Sequence, residues 1–496
     1  MKKIFNKGLA LLLSLTFLML SAGTGATALN PTQTQPKRIS VSVHTDALTK
    51  GFCWYTDSAT DSIVRVYKGA ADISSSLTFT SDSCEEWEGS FVHKVTVSGL
   101  VGGETYTYKV GDGTLWSNVG TFVTDDGDDR FNFITITDVH ARSQDSSQKG
   151  ADTMRAAFET IANAEFVANL GDYTNDSTNE EWNFYDEAFA ALNLSTTQVP
   201  VAGNHDGFAV QHWFTNMFNL DTSESVQTTN GVNYSFDYGN AHIAVLNMND
   251  MICISNAQLR WLKNDMNSTA QDWKFIFMHK APYSLGKNGK WPDATYLQKA
   301  IADVCDETGV DLVLSGHDHM YLRTKPLYNN QLTDDGTVYI LNGTAGTKRY
   351  EIRSFLADTF LDTNFIAGMT VQKDDYGNYW NGSDWHSTLQ TNIGGFFSGI
   401  SVDGGRLTMD AYILADHKDE QGQDIITKID TMTLSKATGQ NTASYHGNNT
   451  TSKVAYALQT VPSVLKLAGF VFSDWLPKFL RIVPNIIKVY IEEGVF

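Results

Sequence analysis

Seven side chains able to hold metal recur in five short stretches: Asp138-Val-His140, Gly171-Asp172, Gly203-Asn204-His205-Asp206, His279 and Gly316-His317-Asp318-His319. Two aspartates, one asparagine and four histidines are oxygen and nitrogen donors, with no thiolate among them. Such a set suits divalent Mn, Fe, Zn or Co and not a copper–thiolate or structural cysteine–zinc site. Seven donors exceed what one tetrahedral ion uses but suit two ions that share a carboxylate. A pair of ions about 3.5–4 Å apart can activate water and clamp a phosphoryl group. Residues two apart project to one side of an extended chain, so Asp138 with His140, and His317 with His319, are each expected to aim at one centre. Singly, every stretch is weak: Gly-Asp is common, and a lone histidine is more often structural. Their force lies in combination, since five of the twelve histidines fall within them and each stretch follows a strand-like run.

The elements that must carry these residues can be read from periodicity. Residues 131–137, 165–170, 198–202, 242–247, 274–278, 311–314 and 338–341 read as strands. Helical patterns over 153–164, 178–191, 256–266 and 295–307 alternate with them, which predicts an α/β domain. The five stretches then lie at the C-terminal ends of strands, where ligand sites of α/β sheets gather. Residues 395–435 return to alternating strands and are expected to finish a second sheet of this domain. Ahead of it, residues 38–125 show short period-two runs (39–43, 62–67, 93–97, 105–110) that predict an all-β sandwich of about seven strands. A charged, Gly-containing seam at 125–130 marks the boundary.

The chain of 496 residues carries a formal net charge of −20, which argues against nucleic acid as a partner. An acidic chain also repels an anionic substrate unless a local positive centre overrides it, as a metal pair would. Lys2, Lys3 and Lys7 precede an apolar run from Leu9 to Leu20, and Ala26-Thr27-Ala28 fits a cleavage site. Residues 1–28 therefore read as a signal peptide of a secreted or cell-surface protein, with an uncleaved anchor as the alternative. Export permits disulfides. Cys53–Cys84 and Cys253–Cys305 are the natural pairs if domains fold as units, against four free buried thiols. Residues 437–496 form a tail. From about Val454 it is apolar, cut by Pro462, Pro477 and Pro484 and interrupted by charges. Short amphipathic helices packed on the body are the plainer expectation; peripheral membrane or cell-wall contact is the sharper one.

The ordered set D-x-H, G-D, G-N-H-D, H and G-H-x-H resembles the signature of the calcineurin-like metallophosphoesterase superfamily, over residues 130–436. The front domain is similar to the fibronectin-III-like N-terminal domain of purple acid phosphatases, through His93-Lys-Val-Thr-Val-Ser-Gly-Leu, the run from Gly103 to Asp112, and Trp116 to Thr124. The resemblance implies a four-layer αββα catalytic domain behind a β-sandwich. It assigns one divalent ion to Asp138, His140, Asp172 and His319, and the other to Asp172, Asn204, His279 and His317. His205 matches the histidine that contacts phosphate and protonates the leaving oxygen, and Asp206 would orient it. A metal-bound hydroxide would attack a phosphorylated small molecule in line, as a monoesterase or alternatively a phosphodiesterase or nucleotide hydrolase; a non-catalytic surface binding protein is the remaining alternative. Purple acid phosphatases use D-x-G first and a tyrosine three residues after the bridging aspartate. Here those positions are His140 and Asn175, with Tyr173 expected to point away, which implies a divalent pair and a colourless or pale protein. The oligomeric state has no readable signal.

Overall fold

The computed structural model describes residues 35–69, 76–81, 84–206, 213–226, 232–249, 254–350, 352, 356–357, 359–370, 378–380, 385–387 and 393–492. The leader read at 1–28 lies outside the described residues.

Two sheets stack face to face with helices on their outer sides, giving the four layers expected. Strand sequence explains the stacking. In Arg130–Ile136, Phe131 and Phe133 enter the core between the sheets, while Ile134 and Ile136 face the helices Gln144–Thr160 and Asn179–Asn193. In Trp273–Lys280, Phe275 and Phe277 point inward, whereas Ile276 and Met278 meet the helices Asn256–Ser268 and Pro292–Thr308. Strands buried on both faces read as continuous apolar runs, which is why these segments are legible without polar alternation. Helix Gln144–Thr160 begins well before the predicted 153. A capping box of Ser143 and Ser146 starts it, and its early turns bury small Ser, Gly and Ala residues.

The first sheet runs Asp424–Ser435, Arg406–Lys418, Ile393–Asp403, Arg130–Ile136, Phe166–Asn169, Thr197–Pro200, Lys37–Val43, Lys50–Thr56, Ser90–Val97 and Cys84–Trp87. Two expectations change here. The strands after 393 complete this first sheet, with Ile393–Asp403 antiparallel to Arg130–Ile136. The front domain also does not stand apart: Lys37–Val43 pairs in parallel with Thr197–Pro200 through Val41↔Thr197 and Ser42↔Gln198. The β-sandwich itself is present, with eight strands among the described residues. Its second sheet is formed by Leu77–Ser81, Ser62–Lys68, Thr105–Gly111 and Gly120–Val123, around a core that includes Phe52, Trp54 and Tyr108.

The Cys53–Cys84 pairing is not made. Cys53 pairs with Lys94 and Cys84 with His93, so the strand Ser90–Val97 lies between them. Two strand spacings, about 9–10 Å, exceed the reach of a disulfide. Cys305 is a free buried thiol, and Cys253 lies outside the described residues.

The tail is less broken than its prolines suggest. Lys453–Leu458, Thr460–Phe470, a π-helical turn Val471–Trp475 and Leu476–Glu492 follow almost without interruption, with Pro484 inside the last helix.

Candidate metal centre

The parallel strands deliver every donor to one edge of the stacked sheets. Asp138 and His140 follow Arg130–Ile136, Asp172 follows Phe166–Asn169, and Asn204 follows Thr197–Pro200, all from the first sheet. His279 ends the strand Trp273–Lys280, and His317 and His319 follow Leu312–Gly316, from the second. Two groups result: Asp138, His140, Asp172 and His319, then Asp172, His279 and His317, with Asp172 in both and the donor atoms of each group within 4.8 Å of one another. Asn204 stands beside the second group, its Oδ1 lying 3.1 Å from His279 Nε2.

The pairs do not converge by extended-chain alternation. Asp138, His140, Asp172, His317 and His319 all have positive φ, between 41° and 76°. Left-handed backbone turns each side chain inward, and backbone hydrogen bonds hold the turns: Asp138 N to Gly171 O and His140 N to Asp172 O, both 2.9 Å. The motif glycines are required by close approach. A Cβ at Gly203 would sit 2.1 Å from Asp172 Oδ1, and one at Gly316 would sit 2.0 Å from Thr137 Oγ1.

Each carboxylate is split between a tied and an untied oxygen. Asp138 Oδ2 accepts from Thr137 Oγ1 at 2.7 Å and from His317 N at 2.8 Å; Asp172 Oδ1 accepts from His205 N at 2.8 Å. Asp138 Oδ1 and Asp172 Oδ2 are buried and accept no hydrogen bond. They face ring nitrogens instead: His319 Nε2 is 3.1 Å from Asp138 Oδ1, and His279 Nε2 is 3.1 Å from Asp172 Oδ2. His279 Nδ1 donates to Leu170 O at 2.8 Å and His319 Nδ1 to Lys348 O at 2.7 Å, which leaves each Nε2 lone pair aimed at the centre. Buried, orphaned carboxylate oxygens among inward nitrogens fit cations. Burial alone would raise the Asp138 carboxyl, but His319 and His140 hold it well below the usual carboxylate range.

His205 stands partly exposed at the mouth, 4.7 Å from His140 between ring centroids, with Nδ1 donating to the Asn175 carbonyl. Asp206 does not orient it. Asp206 is fully buried, and its carboxylate takes the backbone N–H of Asp172 (2.7 Å), Gly203 (2.9 Å) and Thr174 (3.2 Å). It is the clamp between the Gly-Asp and Gly-Asn-His-Asp turns. Tyr173 points away as expected, into a cluster with Trp182, Tyr185, Phe214 and Phe218.

Sequence reasoning missed the surroundings. Tyr350 stacks on His319 at 4.4 Å, and Lys287 Nζ lies 5.1 Å above Tyr350. Burial pulls Lys348 below the usual lysine range. The Asp172 and Asp138 carboxylates oppose that pull, while Lys287 and Arg142 reinforce it. Three cations thus stand around the centre. Asp318, between two donor histidines, accepts from Ser284 Oγ and from Asn288 N (2.9 Å), fastening the 284–288 loop to the site. Basic residues in the 283–294 and 345–350 loops of an acidic chain were the available signal.

Residues 131–321 match the family model of calcineurin-like phosphoesterases, and residues 31–124 match that of the purple acid phosphatase N-terminal domain. Residues 131–321 thus form a calcineurin-like phosphoesterase domain. Members of this family of hydrolases that the chain resembles include purple acid phosphatase 23 of Arabidopsis thaliana, 25% identical over 56% of this chain and 67% of that protein. Acid phosphatase type 7 of Mus musculus is 25% identical over 52% and 64%. Purple acid phosphatase 22 of Arabidopsis thaliana is 27% identical, but the match spans only 40% of its length. Among solved structures, purple acid phosphatase PPD1 from yellow lupin (Lupinus luteus) seeds shares the fold at a TM-score of 0.59, over 81% of this chain and 74% of that one, with 14% identity. PhoD does so at 0.55, over 89% and 99%, with 11% identity. The metallophosphoesterase fold therefore carries a potential metal site built from its own family stretches.

Proposed function

We propose that this metallophosphoesterase hydrolyses phosphate monoesters at two divalent ions. One is held by Asp138, His140, Asp172 and His319, and the other by Asp172, Asn204, His279 and His317. The observation that carries this reading is the sharing of Asp172 between two donor groups in which one oxygen of each carboxylate, Asp138 Oδ1 and Asp172 Oδ2, accepts no hydrogen bond. When bound, the ions supply a water nucleophile that ionises near neutral pH and a clamp for phosphoryl oxygens. With only Asp138 and Asp172 as anionic ligands, the centre keeps a positive charge toward an incoming phosphate. Lys348, Lys287 and Arg142 add to that field at the mouth. His205, its Nδ1–H fixed on Asn175, presents Nε2 outward to protonate the leaving oxygen. The basic and apolar opening of the chain supports an exported enzyme. Tyr173 is turned into the core and His140 is a neutral ligand, so the metal pair is divalent and the protein colourless or pale.

The test is turnover of an aryl phosphate monoester and of a bis-aryl diester by the full chain, stripped with chelator and then given Mn or Zn. The monoester should be the better substrate, its turnover restored by metal. Preference for the diester would make the enzyme a phosphodiesterase, and metal uptake without turnover of either would leave a binding protein.

A further inference from the structure

The helical tail carries more apolar surface than the fold uses. One face is seated on the body: Tyr456, Leu467 and Ile482 are buried, and Phe470, Val471, Trp475 and Phe479 pack against the core that holds Trp261 and Leu297. Asn256 N donates to Ser463 Oγ at 3.0 Å and Trp475 Nε1 to Lys290 O at 2.8 Å, fixing this face in place. The other face is apolar as well. Val454, Leu458, Val461, Leu465 and Phe472 are 66–75% exposed, and Val464 and Leu480 widen the strip. Their spacings of four, three, four and seven residues put the five on one helical stripe. Single exposed apolar residues are ordinary, but a continuous stripe marks an interaction surface.

Charge selects the occupant. Residues 454–484 hold Lys466, Lys478 and Arg481 against Asp474, three cations to one anion and so a net +2, in a chain of net −20. Lys466 and Arg481 are exposed. A second copy pairing symmetrically would bring these cations together. By length and composition the helix Val454–Pro484 is able to cross a membrane, yet its inner face is already committed to the protein core. An amphipathic helix with basic residues beside its apolar face lies instead in the plane of a membrane interface.

We propose that the tail is a peripheral docking surface for an anionic lipid bilayer. The 454-458-461-465-472 stripe enters among the headgroups, and Lys466 and Arg481 rest against their negative charge. The contact between Trp475 and Lys290 sets the adjacent Trp291, which is exposed and lines a small cavity beside His317, close to the docked face.

The experiment is co-sedimentation of the full mature chain with vesicles of phosphatidylcholine alone and of phosphatidylcholine with phosphatidylglycerol. Binding should be strong only to the anionic vesicles. Lys466→Ala with Arg481→Ala should weaken it about 30-fold. Leu458→Ser, Leu465→Ser and Phe472→Ser together should abolish it, with an unchanged thermal melt showing that the fold survives. Failure to bind anionic vesicles, undiminished binding by the triple variant, or a dimer in light scattering that this variant dissolves would overturn the proposal. Because the readout is sedimentation and not turnover, it stands or falls apart from the hydrolase reading.

Discussion

At the floor of the site, five of the seven donor residues sit in left-handed backbone, all buried but the half-buried His317 and tied by neighbouring turns, whereas at the rim Lys287, Trp291, Lys348 and Tyr350 ride partly or fully exposed on loops. Left-handed conformations cost non-glycine residues about 1–2 kcal/mol each. They persist where the surroundings over-determine them. At the floor, Asp206 and the paired turns do this. At the rim the ties are fewer, with Asp318 holding the 284–288 loop and stacking holding Tyr350. The floor is built so that donor atoms cannot relax away from the centre. The rim touches it at few points, chiefly where Tyr350 stacks on His319 and the Lys348 carbonyl accepts from His319 Nδ1.

The contrast can be broken most sharply at Asp172. Asp172→Asn removes the shared charge, so metal content by atomic emission and turnover should both collapse; a variant that keeps both would end the two-ion reading. His205→Ala probes the boundary between floor and rim. Ions should stay bound while kcat falls by about 10²–10⁴, the span of a lost proton donor. The deficit should shrink for esters with good leaving groups, and a deficit equal across leaving groups would make His205 a phosphate-positioning residue only. Buried charge away from the site should affect folding alone. His242 donates to Asp265 (2.9 Å) and Asp237 (2.7 Å). Burial opposes its charge, but the two carboxylates raise it to about 9. Its folded pKa lies above the unfolded value of about 6.5. The ion pair therefore stabilises fully below that pH, by about 3 kcal/mol, and this contribution is lost as pH rises through 9. Thermal melts from pH 6.5 to 9.5 should show the decline, with a flatter slope in His242→Gln; parallel slopes would show that the imidazolium contributes nothing. Smallest of all, Lys348→Ala should raise KM about tenfold and spare kcat, as expected for one cation that greets the substrate without joining the reaction. An equal fall in kcat would move Lys348 from the rim into the machinery.

Much of the floor was legible because metal chemistry restricts residue types at fixed offsets, and each stretch ends a strand whose apolar run is readable. The backbone of those stretches was not. Asp138-x-His140 read as extended because alternation is the default for a strand end, while its left-handed turns depend on partners some thirty residues away at Gly171 and Asp172. The resemblance implied that Asp206 orients the neighbouring His205, and nothing in the sequence reveals that its oxygens reach back to Asp172 and Thr174. The Cys53–Cys84 pairing failed for a similar reason, since nothing local reveals that Ser90–Val97 inserts between the two strands. The rim stayed unread because loop cations carry no periodicity. Of the tail, the near-continuity of its helices was not legible: Pro462 and Pro477 fall in the first turns of their helices, whereas Pro484 lies inside one.

The parallel pairing of Lys37–Val43 with Thr197–Pro200 has a consequence for how the protein is made. The front module leaves the ribosome first, but one edge of its sheet has no neighbour until residue 200 has been synthesised. Until then the strand Lys37–Val43 offers unpaired N–H and C=O groups, an open template for wrong partners. Cutting the chain near Asp126 would create the same exposure from the other side, on the short strand that leads into Asn204 and His205. Two modules recognisable by sequence thus share one sheet, and the seam at 125–130, where one family match ends and the next begins, is one that folding has to cross.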